Sequence, residues 1–198
     1  MSLWGGRFST EPSSAVAALS RSVEFDWRLA PYDIKVNLAH LDGLIASGVI
    51  AAGNGEVIRA GLKALGTEIL AGKFTYNDSD EDVHSALERG LTEKIGDVGG
   101  ALRAGRSRND QVVTDLKLFA IDHMLEISQM ILELQKSLAA KAAEYGDATA
   151  PGFTHMQHAQ PILFGHEFAK HIHAFARDLD RIQDWLERTS VSPLCSGA

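Results

Sequence analysis

The stretch Gly105-Arg106-Ser107-Arg108-Asn109-Asp110-Gln111 stands directly before the longest helical pattern of the chain. A helix start presents unpaired backbone N–H groups and the positive end of the helix dipole, so anions bind there readily. Arginine adds planar, fork-shaped donors that match a carboxylate or a phosphate. From the residues alone, the stretch is either an anion-binding loop or an ordinary helix cap with solvated arginines.

The pattern that follows predicts two long helices. From Asp110 to about Tyr145, apolar residues recur at steps of three and four that average about 3.6 residues, the α-helical period. A break at residues 146–152 contains Pro151, and Pro161 then opens a second helix to about Thr189. We expect the two helices to be antiparallel neighbours, joined by the segment that carries His155.

Four shorter helices are predicted upstream, at about residues 11–21, 28–47, 55–71 and 80–95. Ser9 or Thr10 would cap the first helix, and residues 22–26 would break it. Ser79–Asp82 would form a capping box for the fourth helix. Because no segment shows a convincing strand pattern, the fold class is predicted to be all-α.

The length of the two long helices determines the predicted architecture. A helix of about 35 residues is about 52 Å long, whereas a compact globule of this chain length is only about 42 Å across. The long helices therefore need further long helices as neighbours, from missing sequence or from other subunits. We predict a small N-terminal helical domain at residues 1–109, and an incomplete central bundle of long antiparallel helices at residues 110–198.

Composition narrows the class of protein. The net charge of −7 argues against nucleic acid or an anionic membrane as the main partner. The N-terminus lacks a signal-peptide pattern, and no apolar run approaches the roughly 18 residues of a spanning helix. Since the single cysteine, Cys195, cannot form an internal disulfide, we expect a cytoplasmic protein.

Five stretches in one order carry a family resemblance. They are LWGGRF at 3–8, DEDVHSALERGL at 80–91, GRSRNDQV at 105–112, GFTHMQHAQP at 152–161 and SPLCSGA at 192–198. Together they resemble the argininosuccinate lyases of the fumarase/aspartase superfamily. The last stretch departs at Cys195, where the family usually carries glycine.

The resemblance implies β-elimination of argininosuccinate to arginine and fumarate in arginine biosynthesis, without a metal or an organic cofactor. The expected partners are argininosuccinate, arginine, fumarate and further copies of the chain in a homotetramer. Two alternatives stay open. The chain is then either a crystallin-like structural protein of the same family or a non-catalytic, dicarboxylate-binding helical module.

The resemblance also implies the site residues. His155 would be the catalytic acid or base, and Ser22 would touch the arginine half of the substrate. The expected contacts to the carboxylates and neighbouring substrate groups are Ser107, Arg108, Asn109 and Thr154. Residues expected to line the site are His84, Arg106 and Gln157. His84 has an alternative structural role as the partner of Glu88, four positions later.

Two further expectations concern what the chain contains. Three histidines of the second long helix, His166, His171 and His173, are spaced too unevenly to converge on one metal ion. Members of the resembled family are more than twice as long, so we expect an N-terminal portion that is inactive alone. In a continuous helix, about 50 Å would separate Asn109 from the segment of His155, and the resemblance implies sites shared between three chains.

Overall fold

The computed structural model describes residues 13–194. The described chain contains seven α-helices and one hairpin: α1 (Ser14–Ser20), α2 (Val23–Asp26), α3 (Ala30–Ala46), α4 (Ala52–Leu70), α5 (Val83–Ile95), α6 (Arg108–Glu144), β1 (Thr149–Thr154), β2 (Gln157–Leu163) and α7 (Phe164–Thr189). Two 3-10 segments, Trp27–Leu29 and Gly96–Arg103, precede α3 and follow α5. The helical fold class predicted from sequence is confirmed.

The chain divides into two compact units. The first contains the described residues up to Leu116, and the second is Lys117–Ser192. Helix α6 begins in the first unit and continues into the second. The predicted boundary between residues 109 and 110 stays a prediction.

Helices α3, α4 and α5 build the core of the first unit. Ile58, Leu62 and Leu65 of α4 are almost completely buried, and each such side chain contributes about 1.5–3 kcal/mol of burial free energy. Gly61 permits α4 and α5 to approach closely, because a Cβ atom there would lie 2.8 Å from Cγ2 of Ile95.

The N-terminal helices differ from prediction in two places. Ser13 caps α1, with its Oγ accepting the Val16 N–H, while the predicted caps Ser9 and Thr10 lie outside the described residues. The first helix ends where a break was predicted, since the backbone of Arg21 is extended, but residues 23–26 then form the short helix α2. The carboxylate of Asp26 accepts hydrogen bonds from the Ser22 hydroxyl and the Val83 N–H. The second of these bonds connects α2 to the start of α5, which is far away in the sequence.

Helix α5 has a different cap from the predicted one. Asp82 is the N-cap, and its Oδ1 accepts the Ser85 N–H at 2.6 Å. The predicted capping box at Ser79–Asp82 is wrong, because Asp82 and not Ser79 is the N-cap of α5. Ser79 donates to Asn77 Oδ1, and Asp80 accepts two hydrogen bonds from the guanidinium of Arg89.

Helices α6 and α7 run antiparallel within the second unit, as predicted. The Lys117 ammonium donates to the Val191 carbonyl at 2.7 Å. Further along α6, the Gln135 amide donates to the Ile172 carbonyl at 2.8 Å, and the Tyr145 carbonyl accepts the N–H of Gly165 at 3.1 Å. As the residue number rises along α6, the residue number of its hydrogen-bond partner falls, so the two segments are antiparallel.

The absence of strands was predicted wrongly. Strands β1 and β2 pair antiparallel, and α7 begins at Phe164 rather than at Pro161. His155 and Met156 both have positive φ, 51° and 59°, as a two-residue type I′ hairpin turn requires. Such turns prefer Asn-Gly, so a His-Met pair gives little sequence signal.

The long helices bury almost nothing apolar in the single chain. The buried residues of α6 are Gln111, Thr114 and Asp115, all in its first-unit part, and Gly165 is the one buried residue of α7. Large apolar side chains are exposed along the second-unit part of α6, including Leu125, Ile127, Met130, Leu132 and Leu134. None of the described helices combines the length and apolar character required to span a membrane.

Candidate active site

A small pocket opens in the first unit where α3, α4, α5 and the start of α6 meet. Its volume is about 70 Å³, room for a few waters or one carboxylate group. Three arginines, one glutamate, one histidine and two amides supply its polar lining. The residues that line it are Asn37, Leu62, His84, Leu87, Glu88, Leu91, Gly99, Leu102, Arg103, Arg106, Arg108 and Gln111.

The arginine-rich stretch supplies two of these cations. Arg106 precedes α6, and Arg108 is the first residue of the helix. Ser107 acts as a local cap, because its Oγ accepts the Asn109 N–H at 3.2 Å. Asn109 is exposed, and neither it nor Ser107 lines the pocket.

Glu88 pairs with the arginines of the pocket and not with His84. Its carboxylate lies 3.2 Å from Arg103 Nη1 and 3.5 Å from Arg108 Nη2. Arg108 also has Asp82 within 4.0 Å. The predicted alternative, a His84–Glu88 pair, is therefore not formed. The pocket carries more positive than negative side chains, which suits an anion.

His84 instead faces two buried carboxyl groups. Its Nδ1 lies 3.2 Å from Asp33 Oδ2 and 3.5 Å from Asp115 Oδ2. The second oxygen of Asp33 accepts hydrogen bonds from Gln111 Nε2 at 2.5 Å and from Asn37 Nδ2 at 3.1 Å. Three helices, α3, α5 and α6, thus contribute to one buried polar cluster.

The two carboxyl groups of this cluster have opposite pKa shifts. Burial opposes ionisation of Asp33, but the facing imidazole of His84 and the hydrogen bond from Gln111 outweigh it and lower its pKa. Burial, reinforced by the neighbouring Asp33 charge, raises the pKa of Asp115 to about 9. At neutral pH, Asp33 is therefore ionised and Asp115 retains its proton.

This cluster also bears on metal binding. Among the described residues, Asp33, His84 and Asp115 have ligand atoms that all lie within 4.8 Å of one another. Carboxylate and imidazole are ordinary metal ligands, and the three residues are too far apart in the sequence to form a recognisable ligand motif. His166, His171 and His173 of α7 are exposed.

Sequence reasoning missed Asp33, Asn37, Gln111 and Asp115. A signal was available, because each helix carries two of these polar residues four positions apart, Asp33 with Asn37 and Gln111 with Asp115. Residues at that spacing share one helix face. An aspartate and an amide placed in this way on the core-facing side of a helix indicate a buried polar network.

The remaining predicted residues lie elsewhere. Ser22 is the N-cap of α2 and its hydroxyl donates to Asp26 at 2.6 Å, while burial raises the pKa of that carboxyl. Thr154, His155 and Gln157 are exposed residues of the hairpin in the second unit. His155 occupies the first position of the turn, with φ at 51°.

Comparison with known proteins gives the family. A family model described as "Lyase" matches residues 6–198. The chain belongs to this family of lyases. The argininosuccinate lyase of Frankia casuarinae is 50% identical over the whole chain, which covers 43% of that protein. The argininosuccinate lyase of Acidothermus cellulolyticus is 48% identical over 99% of the chain, which covers 40% of it. This lyase chain thus spans about two fifths of these relatives.

Solved structures agree with the family. An EDDS lyase in complex with formate has a TM-score of 0.77 at 26% identity, over 90% of this chain and 34% of that one. A variant of the same enzyme with bound fumarate matches equally well. A fumarate lyase from Mesorhizobium sp. BNC1 has a TM-score of 0.71 at 25% identity, over 86% of this chain and 40% of that one.

Proposed function

We propose that this lyase chain is part of an argininosuccinate lyase and forms its carboxylate-binding pocket. The observation that carries the proposal is the cluster of Arg103, Arg106 and Arg108 around a pocket of one-carboxylate size. The identity of about 50% to argininosuccinate lyases supports this substrate over other dicarboxylates. The activity would serve arginine biosynthesis in the cytoplasm.

The proposed β-elimination requires cationic and amide donors and a group that transfers a proton. β-Elimination removes a proton beside one carboxylate of the succinyl group and expels the guanidinium nitrogen from the adjacent carbon. Negative charge accumulates on that carboxylate, and preorganised cations and amides lower the energy of such a state. Arg106, Arg108 and Asn109 are suited to this task, with Ser107 as a further donor. Histidine titrates near neutral pH, so His155 is suited to the proton transfer.

Three other residues complete the proposed site. Thr154 would donate its hydroxyl to a substrate carboxylate, and Gln157 would line the same region of the hairpin. Ser22 would contact the arginine half of the substrate. The positive φ of His155 supports a functional turn, because strained backbone is often retained at functional sites.

We propose further that the site is shared between copies of the chain in a homotetramer. The exposed apolar side chains of α6 support self-association, since extended apolar surfaces of this kind favour assembly. The continuous α6 helix of 37 residues lies between Asn109 and the hairpin in the sequence. Neighbouring subunits would bring opposite ends of such helices together.

Calorimetric titration with fumarate tests the pocket. Arg108→Gln should weaken fumarate binding about 10- to 100-fold, since it removes a hydrogen-bonded charge worth about 1.5–3 kcal/mol. Arg181→Gln is a matched control, because Arg181 pairs with Asp178 on an exposed face of α7. Equal fumarate affinity in both variants and the wild-type chain would refute the proposed pocket.

A further inference from the structure

Asp33 lies behind the pocket and contacts three of the residues that line it. The residue is completely buried and is not itself part of the lining. Its Oδ1 accepts hydrogen bonds from Asn37 and Gln111, and its Oδ2 faces Nδ1 of His84. One carboxylate therefore connects lining residues from three helices.

The chemistry of a carboxylate fixes how these three side chains are oriented. An ionised carboxylate only accepts hydrogen bonds. The amide nitrogens of Asn37 and Gln111 must therefore face Asp33, which directs their amide oxygens elsewhere. Nδ1 of His84 faces the same charge, with carboxyl oxygens at 3.2 and 3.5 Å, although neither contact has the geometry of a hydrogen bond. An ionised carboxylate at this distance favours a hydrogen on Nδ1. The ring edge with Nε2 then remains for the pocket.

Asp115 has a different environment from Asp33. It is also completely buried, but neither of its oxygens has a hydrogen-bond donor among the described residues. As a protonated acid it leaves Asp33 as the negative charge of the cluster.

We propose that Asp33 is a positioning residue of the pocket, which fixes the Nδ1–H form of His84 and the amide orientations of Asn37 and Gln111. A carboxylate ligand in the pocket would then meet side chains whose orientation is set by Asp33. The charged groups that face His84 are Asp33 from α3 and Asp115 from α6, with Glu88, Arg103, Arg106 and Arg108 around the pocket. The identity of the ligand, but not the positioning role, depends on the proposed function.

Nitrogen-15 NMR of histidine-labelled protein tests this directly. The His84 signals are assigned by their loss in His84→Asn. We expect Nδ1 to be the protonated ring nitrogen in the wild-type chain at neutral pH. A wild-type His84 with its hydrogen on Nε2 alone would overturn the proposal without any need for a variant.

Asp33→Asn gives the second arm of the experiment. The neutral amide no longer fixes the ring, so we expect a mixture of the two neutral forms and at least 10-fold weaker fumarate binding. Asp80→Asn is the control for a merely structural loss, because Asp80 is also buried but pairs with Arg89 and does not line the pocket. It should lower the melting temperature and leave the His84 signals unchanged.

The positioning role of Asp33 and the identity of the ligand are tested by different results. An unchanged His84 spectrum in folded Asp33→Asn protein would overturn the positioning role. If the wild-type chain binds no fumarate, the proposed ligand is wrong, whereas the protonated nitrogen of His84 still decides the role of Asp33. Loss of fumarate binding in Asp80→Asn as large as in Asp33→Asn would also contradict the proposal, since general destabilisation would then explain both.

Discussion

At the scale of single residues, Asp115 and Asp80 are two buried carboxylic acids with opposite behaviour. Asp115 lacks a hydrogen-bond donor and adjoins the charge of Asp33, so burial and that charge raise its pKa to about 9. Burial also opposes the ionisation of Asp80. There, however, the bidentate guanidinium of Arg89 and the Asn77 N–H outweigh burial and lower the pKa.

For Asp115, the raised pKa predicts a stability that falls with rising pH. Between its ordinary value of 3.8 and about 9, the folded state holds a proton that the unfolded state has lost. Asp115→Asn removes this dependence. Urea denaturation should therefore show the variant gaining stability relative to the wild-type chain from pH 5 to pH 9. A difference that is independent of pH would contradict the assignment of the proton to Asp115.

For Asp80, the pH dependence of stability has the opposite sign. Its lowered pKa stabilises the fold above the ordinary value of 3.8, and this stabilisation is lost as pH falls through the lower, folded value. Asp80→Asn should reduce the free energy of unfolding by about 2–3 kcal/mol at pH 7. The deficit measured by urea denaturation should shrink under acidic conditions. A deficit that grows with acidity would exclude the Arg89 pair as its cause.

From the residues alone, a pocket residue could be predicted only where the sequence immediately around it indicates its role. Arg106 and Arg108 stand before a visible helix start, and both line the pocket. Asp33 could not be assigned in this way, because its partner Gln111 is 78 positions away. Such a contact exists only after α3 and α6 pack, so the Asp33–Asn37 spacing within α3 does not identify the residues that these side chains face.

At the scale of elements, helices were predictable and the hairpin was not. Long apolar periodicity predicts α6 and α7 because it extends over many turns. The hairpin strands are short and mostly exposed, so they lack the alternation that a half-buried strand would show. The cap of α5 was misassigned for another reason, since the guanidinium of Arg89 holds Asp80 and leaves Asp82 as the cap.

The hairpin turn gives a prediction of its own. Met156 is 96% exposed and has a left-handed φ of 59°, which costs a non-glycine residue about 1–2 kcal/mol. Met156→Gly removes this strain, and the flexibility of glycine in the unfolded chain offsets part of the gain. Amide hydrogen exchange in residues 149–163 should therefore slow about threefold. Met156→Ala is the control, and equal exchange in both variants would show that φ is not the cause.

At the scale of the whole molecule, the buried apolar side chains of the described residues all lie in the first unit. The buried apolar side chains among the described residues run from Val23 to Leu102 in the first unit. The second unit exposes large apolar side chains along α6 instead. In the sequence, a surface that packs against another subunit is visible only as an apolar stripe. The sequence therefore predicts that α6 needs neighbours, but not which face of α6 they cover.

Self-association can be measured by sedimentation velocity. Met130→Lys places a charge on the exposed apolar surface of α6, where the side chain is 63% exposed. We expect it to shift the protein towards smaller species at a given concentration. Leu70→Lys is the matched control, because Leu70 is 81% exposed at the end of α4 in the first unit. A wild-type chain that stays monomeric at high concentration would exclude the proposed assembly.

Subunit exchange tests the central claim most directly, in a protein of the relatives' length that carries this sequence. Asn109→Ala and His155→Asn proteins are prepared separately, exchanged and assayed with argininosuccinate by the ultraviolet absorbance of fumarate. Each alone should be nearly inactive. After exchange, about a quarter of the sites should contain neither lesion, so activity should recover to about that fraction of wild type. Fully exchanged mixtures that remain inactive would contradict the shared site, and an unmutated protein that releases no fumarate would contradict the lyase function itself.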